Sequence, residues 1–164
     1  MEETEQLKWM EEVSLIGANL ERADLRGKNL KNVNFTNANL RSADLSGADL
    51  RGAKFIRADL SMAVLKEAQC QGADFTAADM TMTNLKATNF TGAKLRMVSL
   101  RRCTAKNAIF YEADLTGANV RQGEFLGSLF NEAKLEGVRH AESANFFGTW
   151  PQEEGQSTTI PAQT

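Results

Sequence analysis

The chain has 164 residues, of which 42% are hydrophobic and 24% are charged, and its 19 Lys and Arg against 21 Asp and Glu leave a net charge of −2. This length and balance predict one domain and exclude a surface that is basic throughout. Two cysteines and one histidine exclude a disulfide framework and leave little material for zinc or acid–base chemistry. The sequence has no apolar run of transmembrane length and no basic-then-apolar leader, so we expect a cytoplasmic protein with no membrane contact.

Residues 1–12 precede the regular part of the chain and contain five acids. Leu7, Trp9 and Met10 stand among these acids, a mixture that is compatible with a short amphipathic helix. We expect this segment to form an N-terminal cap, as a short helix, because a repeat array needs a cover at each end of its core.

A repeat of five residues then runs from residue 13 to residue 140. Every fifth residue from Leu15 to His140 belongs to one column of 26 positions, with 14 Leu and seven Phe. Two residues earlier in each repeat lies a second column, which has 16 Ala in 26 positions. Asp or Asn stands between the two columns in 14 repeats, so the unit is Ala-(Asp/Asn)-Leu-x-x.

This period fits neither regular secondary structure. An α-helix turns about 100° per residue, so every fifth side chain would point in a new direction, and in a straight strand an odd period alternates between faces. The pattern fits a short extended piece, with Ala and Leu on the same side, followed by a two-residue corner that holds nine of the glycines. Repeated corners predict stacked coils, that is, a solenoid.

The phenylalanines favour four corners per coil, because identical core residues tend to stack in neighbouring coils. Four pairs are separated by four repeats, namely 35/55, 55/75, 90/110 and 110/130, against two pairs separated by three. Coils of four repeats would stack about 4.8 Å apart, the spacing between strands. The array would then contain about six to seven coils.

These tandem A(D/N)Lxx units resemble the pentapeptide repeat family over residues 13 to about 140. The resemblance implies an all-β fold, a right-handed quadrilateral parallel β-helix with the two apolar columns inside and short caps at both ends. It also implies a bacterial protein, since the family is abundant in cyanobacteria. Some members resemble B-form DNA, bind DNA gyrase and protect it from quinolones.

Several core positions depart from the pattern. Lys28 stands in the Ala column, and we expect its side chain to bend outward with local distortion of the backbone. Cys70 and Cys103 fall on inward columns of different faces, which predicts buried, reduced thiols. His140 occupies the last position of the Leu column, where we expect it to pack at the end of the core.

The chain after the array predicts a second cap and a tail. Residues 141–150 contain Phe146, Phe147 and Trp150, which we assign to an aromatic cap, with a homodimer contact at this end as the alternative. Residues 151–164 are polar and are predicted to be disordered.

The sequence indicates no catalytic, cofactor or metal site, and we expect a protein that is not an enzyme. A core filled by Leu, Phe and Ala leaves no room for a substrate, and no ligand spacing typical of zinc or phosphate sites occurs. The Asp and Asn column suggests metal binding at first sight, but hydrogen bonding to nearby backbone explains its regularity better.

Charge therefore guides the functional prediction. Residues 13–140 carry 18 Lys and Arg against 13 Asp and Glu, so a basic array lies between acidic ends. A DNA mimic needs a strongly negative rod, which disfavours gyrase as the partner. The leading prediction is a protein-interaction scaffold whose partner is an unknown protein. The alternatives are a DNA-mimicking gyrase or topoisomerase binder and a binder of an anionic partner through a basic outer face, with nucleic acid disfavoured.

Four-repeat closure also predicts which basic residues stack. Lys66, Lys86 and Lys106 are 20 residues apart and should form an outward ladder. The candidate partner surface combines this ladder with three arginines and two methionines of the same coils, namely Arg101, Arg102, Arg121, Met62 and Met82. The competing interpretation is a charged face that only keeps the protein in solution.

Overall fold

The computed structural model describes residues 14–146. The predicted N-terminal cap of residues 1–12, the aromatic residues Phe147 and Trp150, and the tail of residues 151–164 lie outside the described residues. Within residues 14–146, no helix is long and apolar enough to cross a membrane.

The backbone winds into coils of four repeats. The middle residue of each extended piece forms one parallel β-bridge with the residue 20 positions later, from Ser14 with Asn34 to Asn119 with Arg139. Each coil is also tied to the next by backbone hydrogen bonds between the bridging residues and their neighbours; for example, the N–H of Asp59 donates to the carbonyl of Ala38 at 3.0 Å. This register confirms the predicted closure after four repeats.

A tight turn closes every corner. The N–H of Ala48 donates to the carbonyl of Leu45 at 3.0 Å, and equivalent bonds recur along the array. The second corner residue has a positive φ in each repeat from residue 17 to residue 137, a requirement of type II turns. Nine of these residues are glycine and 16 are not, so the array holds many L-residues in a conformation that favours glycine.

The core is a set of stacked side-chain columns. The four predicted phenylalanine pairs all stack, with ring centroids 4.8 Å apart for Phe35 and Phe55 and 4.7 Å for Phe55 and Phe75. The pairs formed by Phe110 with Phe90 and with Phe130 stack at 5.2 and 4.8 Å. All the stacked phenylalanines are buried, so these ring contacts lie inside the coils.

The predicted departures behave in part as expected. Lys28 is exposed, but its backbone is regular, since its N–H donates to Leu25 and its carbonyl accepts from Asp49. The expected local distortion is therefore wrong, because an exposed side chain leaves the backbone ladder intact. Cys70 and Cys103 are buried free thiols, as predicted. Burial raises the pKa of both thiols, that of Cys103 to about 12.

The array changes register at its C-terminal end. His140 has a φ of 64° and is exposed, so the expectation that it packs into the core is wrong. It precedes a 3-10 helix, Ala141–Ser143, and the extra residue shifts the next bridge to 21 positions, between Glu124 and Asn145. Phe146 then enters the core and stacks on Phe125, with ring centroids 4.9 Å apart.

Candidate partner surface

The predicted lysine ladder exists. The N–H of Glu67 donates to the carbonyl of Lys86 at 2.9 Å, and the N–H of Ala87 donates to that of Lys106 at the same distance, so the three lysines lie one above another on successive coils. Lys66, Lys86 and Lys106 are all exposed.

The arginines and methionines occupy the preceding corner of the same coils. Met62 and Met82 each leave about half of the residue exposed. The N–H of Met82 donates to the carbonyl of Arg101, and that of Arg102 to Arg121, which orders these residues along the rod. We call Arg101, Arg102 and Arg121 the arginine corner.

A flat face separates the arginine corner from the lysine ladder. Its outward column contains Val64, Asn84 and Thr104, which are uncharged, and continues through parallel bridges into Asp44 on one side and Glu124 on the other. The structure therefore brings the predicted surface residues to the two edges of one face, which we call the intervening face. They do not form a single continuous cluster.

Ion pairs distinguish the two edges. Lys66 lies 3.3 Å from Glu67, and Lys106 lies 3.3 Å from Glu124, so two ladder lysines have carboxylate partners. Within residues 14–146, no carboxylate lies within ion-pair distance of Lys86 or of the arginine corner. Arg102 instead donates from Nε to Gln122 Oε1 at 2.9 Å.

Arg139 extends the arginine corner and was not among the predicted residues. It is exposed, bridges with Asn119, and has no ion pair in the described part of the chain. Asn119 accepts a hydrogen bond from the N–H of Arg121 at 3.1 Å, and Arg139 stacks on Asn119 in the next coil. Arg139 therefore lies beside Arg121, one coil further along the array. The 20-residue spacing from Asn119 is the sequence signal that could have found it.

The Asp and Asn column performs the predicted structural role. In each of its 14 members from Asn19 to Asn119, the side-chain oxygen accepts a hydrogen bond from the N–H two residues later. These bonds support the start of each corner. In residues 14–146, no group of three His, Cys, Asp or Glu residues is arranged to hold a metal ion.

Coils of this kind, filled by Leu, Phe and Ala and joined by single bridges, define a pentapeptide repeat solenoid. The family model for pentapeptide repeats matches with eight copies, over residues 14–52, 43–81, 68–107, 83–122 and 108–139. The chain belongs to the pentapeptide repeat family, whose members are generally non-catalytic structural or interaction proteins and are known as right-handed quadrilateral β-helices. A search of curated proteins finds no match.

Solved structures of pentapeptide repeat proteins resemble the chain. The protein Rfr23 from the cyanobacterium Cyanothece 51142 is 23% identical, with a TM-score of 0.58 over 88% of this chain and 99% of that one. QnrB1, a plasmid-mediated fluoroquinolone resistance protein, is 22% identical over 82% and 77% of the two chains, with a TM-score of 0.47. A protein of the Arabidopsis thaliana thylakoid lumen is 33% identical over 68% and 63%, with a TM-score of 0.36.

Proposed function

We propose that this chain is a non-catalytic interaction scaffold that binds an acidic protein surface through the arginine corner. The observation that carries the proposal is the contrast between the two charged edges. Arg101 and Arg121 are exposed and have no carboxylate neighbour within residues 14–146, whereas Lys66 and Lys106 are paired. Unpaired guanidinium groups are free to bind carboxylates in a planar, two-bond geometry, and arginine is enriched in protein interfaces.

The surroundings of the arginine corner suit a protein partner. Met62 and Met82 continue the same corner toward the N-terminus and offer flexible apolar contact. The intervening face beside these methionines carries the uncharged Val64 and Asn84, so a partner could extend across this part of it without burying a charge. We further propose that the protein is bacterial and acts in the cytoplasm.

The test is partner binding by matched charge variants. The variant Arg101→Thr with Arg121→Thr installs the residue type that the same column has at Thr81. The control, Lys54→Thr with Lys134→Thr, removes the same charge from the opposite face, where both lysines are exposed. A partner is captured from the source cell with the wild-type chain, identified by mass spectrometry and titrated against each variant.

We expect the arginine variant to bind about tenfold more weakly at low salt, with the difference shrinking as salt screens the charges. The control should bind nearly as the wild type does, and both variants should melt near the wild-type temperature. Equal weakening by the two variants would show that only net charge matters.

The gyrase alternative predicts a different result. Mimicry of DNA requires a negative rod, but residues 13–140 carry 18 basic against 13 acidic side chains. We therefore expect no effect of the chain on supercoiling by DNA gyrase. Inhibition of supercoiling at stoichiometric amounts would favour this alternative over the proposed scaffold.

A further inference from the structure

A second exposed feature lies on the face that follows the lysine ladder, which we call the patch face. Its outward column begins with four polar residues and ends with two apolar ones, in the order Asn29, Asp49, Gln69, Asn89, Ile109, Leu129. Ile109 and Leu129 are joined by a parallel bridge; Ile109 is half-buried, and Leu129 leaves 51% of its surface exposed. The repeat thus loses its usual polar residue at two successive coils.

Two further apolar residues extend this feature to the edges of the face. Leu126 is 45% exposed at the corner that continues the lysine ladder, and Tyr111 is 37% exposed at the opposite corner. We call these four residues, Ile109, Leu129, Leu126 and Tyr111, the apolar patch. Contiguous exposed apolar surface on a flat face marks an interaction site more often than single exposed residues do.

The charges beside the apolar patch differ between its two edges. Lys86 and Lys106 line one corner, and Glu112 and Glu132 line the other. Tyr111 donates from its hydroxyl to Glu132 at 3.2 Å, which keeps that carboxylate at the edge of the patch. The patch face is therefore positive along one edge and negative along the other.

We propose that the apolar patch binds a second copy of this chain, with the two rods parallel and related by a two-fold axis that runs along them. That rotation places the lysine edge of each copy opposite the glutamate edge of the other. Lys106 and Glu112 belong to the same coil, so Lys106 would face Glu112 of the second copy at the same height, twice in the dimer, and would exchange its ion pair with Glu124 for this contact. The antiparallel alternative sets lysine against lysine and is opposed by like-charge repulsion.

The outward column is compatible with this symmetry over part of its length. Residues of the column lie near the axis, so each faces its own copy, as in any isologous interface. Ile109 and Leu129 would form an apolar contact, and the amide of Asn89 can both donate to and accept from its counterpart. Asp49 would face a second carboxylate, which limits close contact to the C-terminal coils.

This dimer leaves the proposed partner surface available. The arginine corner is separated from the patch face by the intervening face and the lysine ladder, so each dimer would present two arginine corners. The self-association therefore does not depend on the proposed function, and either can fail without the other.

The first experiment measures the oligomeric state of the full chain by sedimentation equilibrium. The variant Ile109→Asn with Leu129→Asn restores a residue type that the column has at Asn89, so the fold should be retained. We expect the wild type to dimerise reversibly and the variant to have a dissociation constant about tenfold higher or more. The proposal is overturned by a wild type that stays monomeric at every concentration, which would leave the patch to another protein or a membrane, or by a folded variant that dimerises equally well.

The second experiment tests the parallel arrangement by charge exchange. Lys106→Glu alone and Glu112→Lys alone should each weaken self-association, because each homodimer then sets like charges against each other. Mixing the two variants should restore a heterodimer, since both edges again pair opposite charges. Failure of the mixture to associate better than either variant alone would overturn the parallel two-fold arrangement.

Discussion

Single side chains in this array combine a local turn with contacts between coils. Asp49 accepts a hydrogen bond from the N–H of Arg51, pairs with the Arg51 guanidinium at 2.6 Å and lies 3.2 Å from Lys31 Nζ of the preceding coil. Its hydrogen bonds from Arg51 lower the pKa of Asp49 from 3.8 to about 2. A repeat position with a turn-forming function thus also carries an electrostatic contribution to stability.

The pKa of Asp49 predicts a pH dependence of stability. Because the folded pKa of about 2 lies below the ordinary aspartate value of 3.8, the ionised carboxylate stabilises the fold above about pH 4, and this contribution disappears as the pH falls to 2. Asp49→Asn keeps the turn acceptor but removes the charge. We expect it to cost about 1–2 kcal/mol at pH 6 and almost nothing near pH 2. Urea titrations at both pH values measure this, and an equal cost at both would show that the ion pairs contribute nothing.

Buried hydroxyl groups occur at three positions of the inner column, which the repeat pattern does not predict. Thr83, Thr88 and Ser128 replace Ala in the inner column, and their hydroxyls donate to the carbonyls of Leu60, Leu65 and Ala105, respectively. Each carbonyl lies 23 residues earlier, in the preceding coil. A hydroxyl can therefore replace a methyl inside the array, because the stacked backbone supplies an acceptor.

At the scale of the stacked column, the phenylalanines predict the largest effects of substitution. Phe55 lies between Phe35 and Phe75 and has no exposed surface. Phe55→Ala should destabilise the fold by about 3–5 kcal/mol, because it opens a cavity and removes two ring contacts. Phe55→Leu is the matched control, since the same column has Leu95 and Leu115, and it should cost distinctly less. Denaturant midpoints for the two variants test this, and equal losses would contradict the role of the column.

The alanine column should be sensitive to added side-chain volume, whereas the phenylalanine column is sensitive to lost volume. Ala48 is fully buried beside a turn, and Ala48→Leu should cost about 1–3 kcal/mol through overpacking. Gln69→Leu adds the same side chain at an exposed position of the next coil and should change stability little. Thermal melts of both variants provide the measurement. A smaller loss for Ala48→Leu than for Gln69→Leu would mean that the inner column has spare space.

The architecture of the whole molecule predicts the form of its circular dichroism spectrum. Each repeat contributes one bridging residue and a turn, and the helical content of residues 14–146 is the three-residue segment Ala141–Ser143. Circular dichroism should therefore show β structure with little helix. A helix-dominated spectrum would contradict the solenoid, because period five cannot form an amphipathic helix.

The surface of the whole rod carries two separate features at its C-terminal half. The arginine corner lacks carboxylate neighbours within the described residues, and the apolar patch replaces a polar column at Ile109 and Leu129. The two features lie on different faces of the same coils. A parallel dimer through the apolar patch would double the number of arginine corners, which would strengthen binding to a partner with repeated acidic sites.

The inward columns, the corners and the closure after four repeats could all be predicted from the amino-acid sequence. A five-residue period allows few ways of burying the column from Leu15 to Leu135 inside one structure. The 20-residue spacing of Phe35, Phe55 and Phe75 selects coils of four repeats, in which those rings stack. The turn role of the Asp and Asn column was also predictable, because a side-chain oxygen that recurs before each corner lies within reach of the backbone. The regular repeat is therefore enough to assign each position of the array to the core, the outer face or a corner.

The ion pairs of the outer surface and the end of the regular repeat could not be predicted and are visible only in the folded chain. Lys66 pairs within its own corner and Lys106 pairs with the following coil, while Arg101 and Arg121 do neither, and side-chain direction rather than spacing makes that difference. His140 fits the five-residue pattern but has a positive φ and is exposed, and the 3-10 helix that follows it inserts one residue, so that Phe146 rather than Asn145 stacks on Phe125. A periodic sequence specifies the backbone of each coil, but outward side chains and ends have no repeating neighbour to constrain them, so their contacts are set by the assembled structure.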